Sequence, residues 1–190
     1  MLISDKDGKK LVKAARDCVA SHFENKSFEL NGFPGKLGVF VTIHSYPSQD
    51  LCGCIGFPDS VFSLNEGLVR AALAAAFQDP RFPPMKKEEL DKVIFEVSVL
   101  TEPELVKVKS CDDYLGGIRV GEDGLIVDDG VSRGLLLPVV AVEYGWNAEE
   151  FLDHTCLKAF LPKDSWKDTR GCKVYKFQAQ VFSEKKPGVV

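Results

Sequence analysis

The segment from Ser63 to Pro84 constrains the fold more than any other part of the chain. Leu64, Leu68, Ala71, Ala72, Ala75 and Ala76 recur at helical spacing. Ser63 and Glu66 read as a capping box, in which each side chain meets an orphan amide of the first turn. Five alanines crowd the last two turns, so a neighbouring backbone can approach this helix closely. The prolines of Asp79-Pro80-Arg81-Phe82-Pro83-Pro84 then forbid continuation. The chain must pack another element tightly against a thin central helix and reverse direction at its end.

The flanking patterns say what that element is. Residues 5–24 predict a helix with Ser4 as N-cap and one apolar stripe of Leu11, Ala14, Ala15, Cys18, Val19 and Phe23. From Leu37 the period changes to two. Leu37, Val39, Val41 and Ile43 share one face, and Phe40, Thr42 and His44 share the other. After the turn at 46–50, Leu51-Cys52-Gly53-Cys54-Ile55-Gly56-Phe57 reads as a second strand, making a hairpin. A short helical turn is expected at Lys87 to Leu90, then a strand from Val93 to Leu100. In that strand Val93, Phe95, Val97 and Val99 face one way, while Ile94, Glu96, Ser98 and Leu100 face the other.

Residues 116–134 hold six of the sixteen glycines. They predict short strands at Ile118–Val120 and Leu125–Val127 around a Gly-Glu-Asp-Gly turn. Leu135 to Leu137 reads as a buried strand ended by Pro138. Asn147 and Glu150 cap a helix to about Phe160. A last strand runs from Val174 to Phe182, with Tyr175, Phe177, Ala179 and Val181 inward. This order predicts an α+β fold, a mixed or antiparallel sheet flanked by helices, rather than a βαβ relay. No low-complexity linker interrupts residues 1–190, a length at the upper end of one domain or the lower end of two, and long enough to fold without a metal or disulfide staple.

Charge and composition exclude several function classes. The formal net charge is −4 and the basic residues are scattered, so the chain lacks the clustered Lys and Arg of a nucleic-acid surface. The longest apolar run, Leu135 to Val142, contains Pro138 and is too short to span a bilayer. The first ten residues are charged and lack the apolar core of a signal peptide. Six irregularly spaced cysteines without an export signal point to reduced thiols in the cytoplasm.

The chemistry-bearing residues gather around the glycine-cysteine turn. Cys54 lies between Gly53 and Gly56, where glycine permits close backbone approach and converging amides. A thiol there is either a nucleophile of lowered pKa or a small core residue. His154 is the candidate general base for that thiol; its alternative is a hydrogen-bonded core histidine. Cys52-x-Cys54 and His154-x-Cys156 invite a zinc reading, yet residues two apart on a helix subtend roughly 200°, so His154 and Cys156 diverge. No metal site is expected. Arg81 either presents a cation to a cleft or holds a carboxylate in place, with Asp79 bonding its local turn. Glu96 is an acid in an apolar strand and needs a partner, for which Arg81 is the expected candidate. No catalytic triad, P-loop or dinucleotide fingerprint is present.

Five segments occur in a familiar order: Leu51 to Phe57, the alanine-rich helix ending in residues 79–84, Phe95 to Glu104, Gly134 to Pro138, and Glu150 to Pro162 followed by Trp166. Together they resemble the AMMECR family, named for the AMME syndrome chromosomal region, over nearly the whole chain. The resemblance implies a single domain over residues 1–190, of mixed α/β fold with a larger and a smaller lobe, and a cleft near the glycine-cysteine turn. It implies no settled activity and no known cofactor. Prokaryotic members look like companions of a Memo-type protein and a radical-SAM-type protein. The family turn usually reads Arg-Gly-Cys-Ile-Gly, and Cys52 stands here in place of that Arg, removing a guanidinium that would clamp an anion.

Two functional readings follow. One is a cleft that binds a small molecule or performs catalysis, with Cys54 and His154 as catalytic residues and Gly53, Gly56, Asp79, Arg81, Glu96 and Cys156 as binding residues. The other is a non-catalytic module that docks a protein or peptide as an accessory subunit. The richness in glycine, proline and aromatic residues suits either, and the first is preferred.

Overall fold

The structure, a computed structural model, describes residues 3–58 and 62–190. Two compact units divide the chain. The first holds residues up to Leu100 together with Gln180–Val190, and the second holds Thr101–Ala179.

In the first unit, helix α1 (Asp5–Phe23) begins at Ser4, whose side chain accepts the Asp7 amide. Strand β1 (Val39–Ser45) and strand β2 (Leu51–Phe57) form the expected antiparallel hairpin. Helix α2 (Leu64–Phe77) follows. Only half of its capping box forms: Ser63 Oγ accepts from the Glu66 amide at 3.3 Å, while the Glu66 carboxylate turns to Arg70 at 2.8 Å. A 3₁₀ turn at Lys87–Lys92 leads into β3 (Val93–Leu100). The buried residues Val39, Val41, Ile43, Phe95 and Val97 pack with Leu11, Val12 and Val19 of α1 and Leu68, Ala71 and Ala72 of α2 into one core.

In the second unit come β4 (Glu104–Leu105), helix α3 (Asp113–Gly117), β5 (Gly124–Asp128), β6 (Arg133–Leu136), helices α4 (Pro138–Glu143) and α5 (Ala148–Lys158), and β7 (Lys173–Phe177). The last strand, β8 (Ala179–Ser183), joins the first sheet. The two sheets have strand orders β2-β1-β3-β8 and β4-β7-β5-β6. The pairs β1–β2, β1–β3, β4–β7, β5–β6 and β5–β7 are antiparallel. The fold is α+β, as expected. Among the described residues no helix is long and apolar enough to cross a membrane.

Four local expectations change. Ile118–Val120 is not a strand, because the Asp123 carboxylate takes the Arg119 amide at 2.9 Å and folds that stretch into a turn. The hairpin partner of β5 is β6, across a turn whose Gly130 has φ +88°. Pro138 starts a helix instead of merely ending a strand, since its fixed φ and missing N–H suit a first helical position. The final strand of 174–182 breaks at Gln178, whose backbone exchanges hydrogen bonds with Thr101. Its halves therefore pair in different sheets. Val174 and Phe177 are the buried residues there, and Val181 is exposed.

One buried ion pair ties the two ends of the first unit together. Arg16 grips Glu184 through Nε and Nη2, both at 2.6 Å, and also donates to the carbonyls of Leu90 and Val93. Glu184 Oε2 accepts the Phe95 amide at 3.0 Å.

Candidate functional site

Every residue of β3 is buried except Glu96, which is half-buried. Directly opposite it on β1 stands Thr42, and opposite Thr42 on β2 stands Cys54. Paired antiparallel residues project to the same side of a sheet, so Cys54, Thr42 and Glu96 form one polar row. Thr42 Oγ1 donates to Cys54 Sγ at 3.2 Å. The row lies on the face turned away from α1 and α2, since Val39, Val41 and Ile43 alternate with Phe40, Thr42 and His44. The thiol and the carboxyl are two strands apart, about 10 Å.

Burial pushes the Glu96 carboxyl above its ordinary value, and the charge of His44 pulls in the other direction. His44 lies two residues from Thr42 on the same face, and its Nδ1 is 3.3 Å from the Gln49 carbonyl. Arg81 is not the partner of Glu96, contrary to expectation. Its guanidinium is committed to Asp79 and to the Cys54 carbonyl, at 2.7 and 3.1 Å.

Asp79 and Arg81 dress the edge of the sheet. β2 is an edge strand, and edge backbone groups need partners other than a ladder. The Cys54 amide donates to Asp79 Oδ2 at 2.9 Å, and Arg81 Nη2 donates to the Cys54 carbonyl. Asp79 Oδ1 accepts from the Arg81 amide at 3.1 Å and from its Nε at 3.0 Å. The Asp79 side chain is 1% exposed and the Arg81 side chain 54%. The Arg81 guanidinium, with the Cys54 and Arg81 amides, holds the Asp79 carboxyl well below the usual carboxylate range against the opposing effect of burial. The corner after α2 thus fastens the backbone of Cys54, with the outer side of the guanidinium left to solvent.

The two glycines face protein rather than open space. A side chain at Gly53 would run into the Ala75 carbonyl of α2, and one at Gly56 into the ring of Phe40. Cys52, beside them, is half-buried; burial raises its thiol, and its Sγ donates to the Asp50 carbonyl at 3.6 Å.

His154 and Cys156 belong to the second unit. They diverge on α5 as helical geometry requires: Cys156 is fully buried, while His154 is half-buried and stacks on Trp146 at 3.9 Å and 4°. Trp146 stacks in turn on Tyr144 at 4.8 Å. Among the described residues no group of three or more His, Cys, Asp or Glu side chains is placed to hold a metal ion.

Sequence reasoning therefore names Cys54 and Glu96 of the row and passes over Thr42 and His44. Their signal is the alternation on β1, which puts both on the face opposite the valines. What joins them to Cys54 and Glu96 is register, which periodicity alone does not supply.

The family model AMMECR1 matches residues 12–182. A Methanothermobacter thermautotrophicus protein is 50% identical over 188 residues, 96% of each chain. Protein MJ0810 of Methanocaldococcus jannaschii is 46% identical over 190 residues, covering 98% of this chain and 94% of that one. The crystal structure of the uncharacterized protein PH0010 from Pyrococcus horikoshii superposes with a TM-score of 0.89 at 45% identity, covering 99% of this chain and 96% of that one. The chain belongs to the AMMECR1 family.

Proposed function

We propose that this AMMECR1-family chain binds, and acts on, a small molecule laid across the sheet face between Cys54 and Glu96. The observation that carries the reading is the row itself: a thiol, a hydroxyl and a protonatable acid side by side on three adjacent strands. Cys54 is the nucleophile in this reading. The Thr42 hydroxyl donates to its sulfur at 3.2 Å and holds it on this face of the sheet. Glu96, whose burial favours the protonated acid, is the proton donor or acceptor at the far end of the ligand. Asp79 and Arg81 position the Cys54 backbone. His44, within reach of Glu96's charge, takes the place that the sequence reading gave to His154. A thiol nucleophile of this kind requires a reducing compartment such as the cytoplasm.

The test is the rate at which iodoacetamide alkylates Cys54, mapped by peptide mass, against pH. Thr42→Val removes the donor to sulfur and is expected to slow alkylation at neutral pH. Glu96→Gln removes the titrating acid from the same face and is expected to speed alkylation only at pH values where the carboxyl is ionised. If neither variant moves the rate, and it equals that of the unfolded chain, Cys54 is an ordinary thiol and the row is not a reactive site. Native mass spectrometry of protein taken from its own cell then identifies the bound molecule. A retained polypeptide in place of a small molecule favours the accessory-subunit reading.

A further inference from the structure

We propose, on the reading of Cys54 as the reactive thiol, that its ligand carries an anionic group, a carboxylate or a phosphate, received by the outer end of Arg81. The inner half of the guanidinium is committed within the protein. Nε donates to Asp79 Oδ1 at 3.0 Å, and Nη2 donates to Asp79 Oδ2 at 2.7 Å and to the Cys54 carbonyl at 3.1 Å. Among the described residues no hydrogen bond uses Nη1. The Phe82 ring backs the group, with the guanidinium carbon 5.4 Å from its centroid. Both Nη1 hydrogens therefore point from a cation whose direction is fixed, and a fixed guanidinium suits a carboxylate or phosphate oxygen.

Asp79 offsets the charge of Arg81 without hiding it. The Asp79 side chain is 1% exposed and the Arg81 side chain 54%, so an approaching anion meets the positive end of the pair. The Cys54 carbonyl sets how near that end is to the thiol. Nη2 lies 3.1 Å from this oxygen, and bond lengths keep a carbonyl oxygen within about 5 Å of the sulfur of its own residue, so guanidinium and thiol are no more than about 8 Å apart. A small acid spans that distance, with its electrophilic carbon over the sulfur and its remainder directed along the row to Glu96. Cys52 stands in the opposite field. It lies two residues away on the same face of β2, and after burial the charges that act on its thiol are those of Glu89 and Asp50.

The experiment alkylates the full chain at low ionic strength with neutral iodoacetamide and with anionic iodoacetate, and assigns each cysteine by tandem mass spectrometry. At a given sulfur, the iodoacetate rate divided by the iodoacetamide rate cancels burial and thiolate fraction and leaves the charge of the surroundings. Relative to the chain unfolded in urea, the ratio should rise about threefold at Cys54, somewhat less than a bare unit charge about 4 Å away would give in water. At Cys52 it should fall. The rise should vanish in Arg81→Gln, persist in Arg81→Lys, and shrink as salt is added. If Arg81→Gln does not fold, the contrast between Cys54 and Cys52 in the wild type decides alone. A Cys54 ratio equal to that of the unfolded chain would overturn the anion site while leaving the reactive thiol in place. A raised ratio with an iodoacetamide rate like that of the unfolded chain would uphold the anion site and overturn the reactive thiol. Acetate and inorganic phosphate, each against sodium chloride of equal ionic strength, then separate the two chemistries by which one protects Cys54 from iodoacetamide. Protection by neither would overturn the proposal.

Discussion

Replacing Asp79 by Ala removes the acceptor at the corner where α2 meets the edge strand. Four donors reach that carboxylate: the Cys54 amide, the Arg81 amide, Arg81 Nε and Arg81 Nη2, at 2.7–3.1 Å. They do not contribute equally. The Arg81 side chain is more than half exposed, so its guanidinium rehydrates when released, and its share is about 0–1 kcal/mol, as for a surface pair. The Cys54 amide is part-buried on the edge of the sheet and loses a bond to a charged acceptor, about 1.5–3 kcal/mol. The sum is about 1.5–4 kcal/mol, a fall in melting temperature on the order of 10 °C for a chain of this size. Thermal unfolding followed by circular dichroism measures the loss, and hydrogen exchange at the Cys54 amide locates it. Arg81→Ala should cost less than Asp79→Ala, because the two backbone donors remain. The carboxyl is depressed in the folded state from an ordinary value of 3.8, so its stabilisation is present above that pH and lost as pH falls below it. Asp79→Asn should lack this acid-sensitive component. A loss below about 1 kcal/mol, with the Cys54 amide still protected, would refute the assignment of Asp79 as the edge cap.

Glu184→Ala strands Arg16, whose side chain is only 12% exposed, and should cost about 3–5 kcal/mol, read as a reduced urea midpoint; a loss under about 1 kcal/mol would mean the pair behaves as a surface one. Glu96→Gln should stabilise the protein at neutral pH. The folded pKa of Glu96 is raised above its ordinary 4.5, so its proton-linked stability is full below that pH and is lost as pH rises through the folded value. A wild-type-minus-variant difference that stays flat across that window would exclude a burial cost at Glu96. Gly53→Ala should destabilise by at least about 1–3 kcal/mol, because the new methyl meets the backbone carbonyl of Ala75 rather than a side chain that can swing aside; unchanged thermal stability would show that α2 shifts freely.

What the sequence discloses depends on the range of the interaction that decides each feature. Ser4, Ser63 and Asn147 announce their helices because a cap needs only the amide two or three residues on. The hairpin of β1 and β2 is legible because alternation and a turn suffice. The fate of Glu66 is not, since its carboxylate chooses between the cap amide and Arg70, both nearby, and the choice leaves no pattern. Gln178 looks like the middle of one strand, and only the distant Thr101 shows that the chain changes sheets there. Arg81 seems free for Glu96 until the Asp79 carboxylate, two residues away, captures it.

The site carries the same lesson through register. Side chains alternate with a period of two, so a shift of β2 by one residue against β1 would send Cys54 to the helix face. Gly53 opposes that shift. It pairs with Ile43, on the buried face, where the Ala75 carbonyl lies against it and leaves no room for a side chain. If Cys54 took that position, its sulfur would meet the same carbonyl. The alanines of α2 allow the helix to come this close, and its approach in turn demands glycine at 53. Asp79 and Arg81 then hold the backbone of Cys54 from outside the sheet. Helix composition, the glycine and the Asp-Pro-Arg corner thus specify one quantity between them: which way the thiol of Cys54 points. That direction sets it beside Thr42, in line with Glu96.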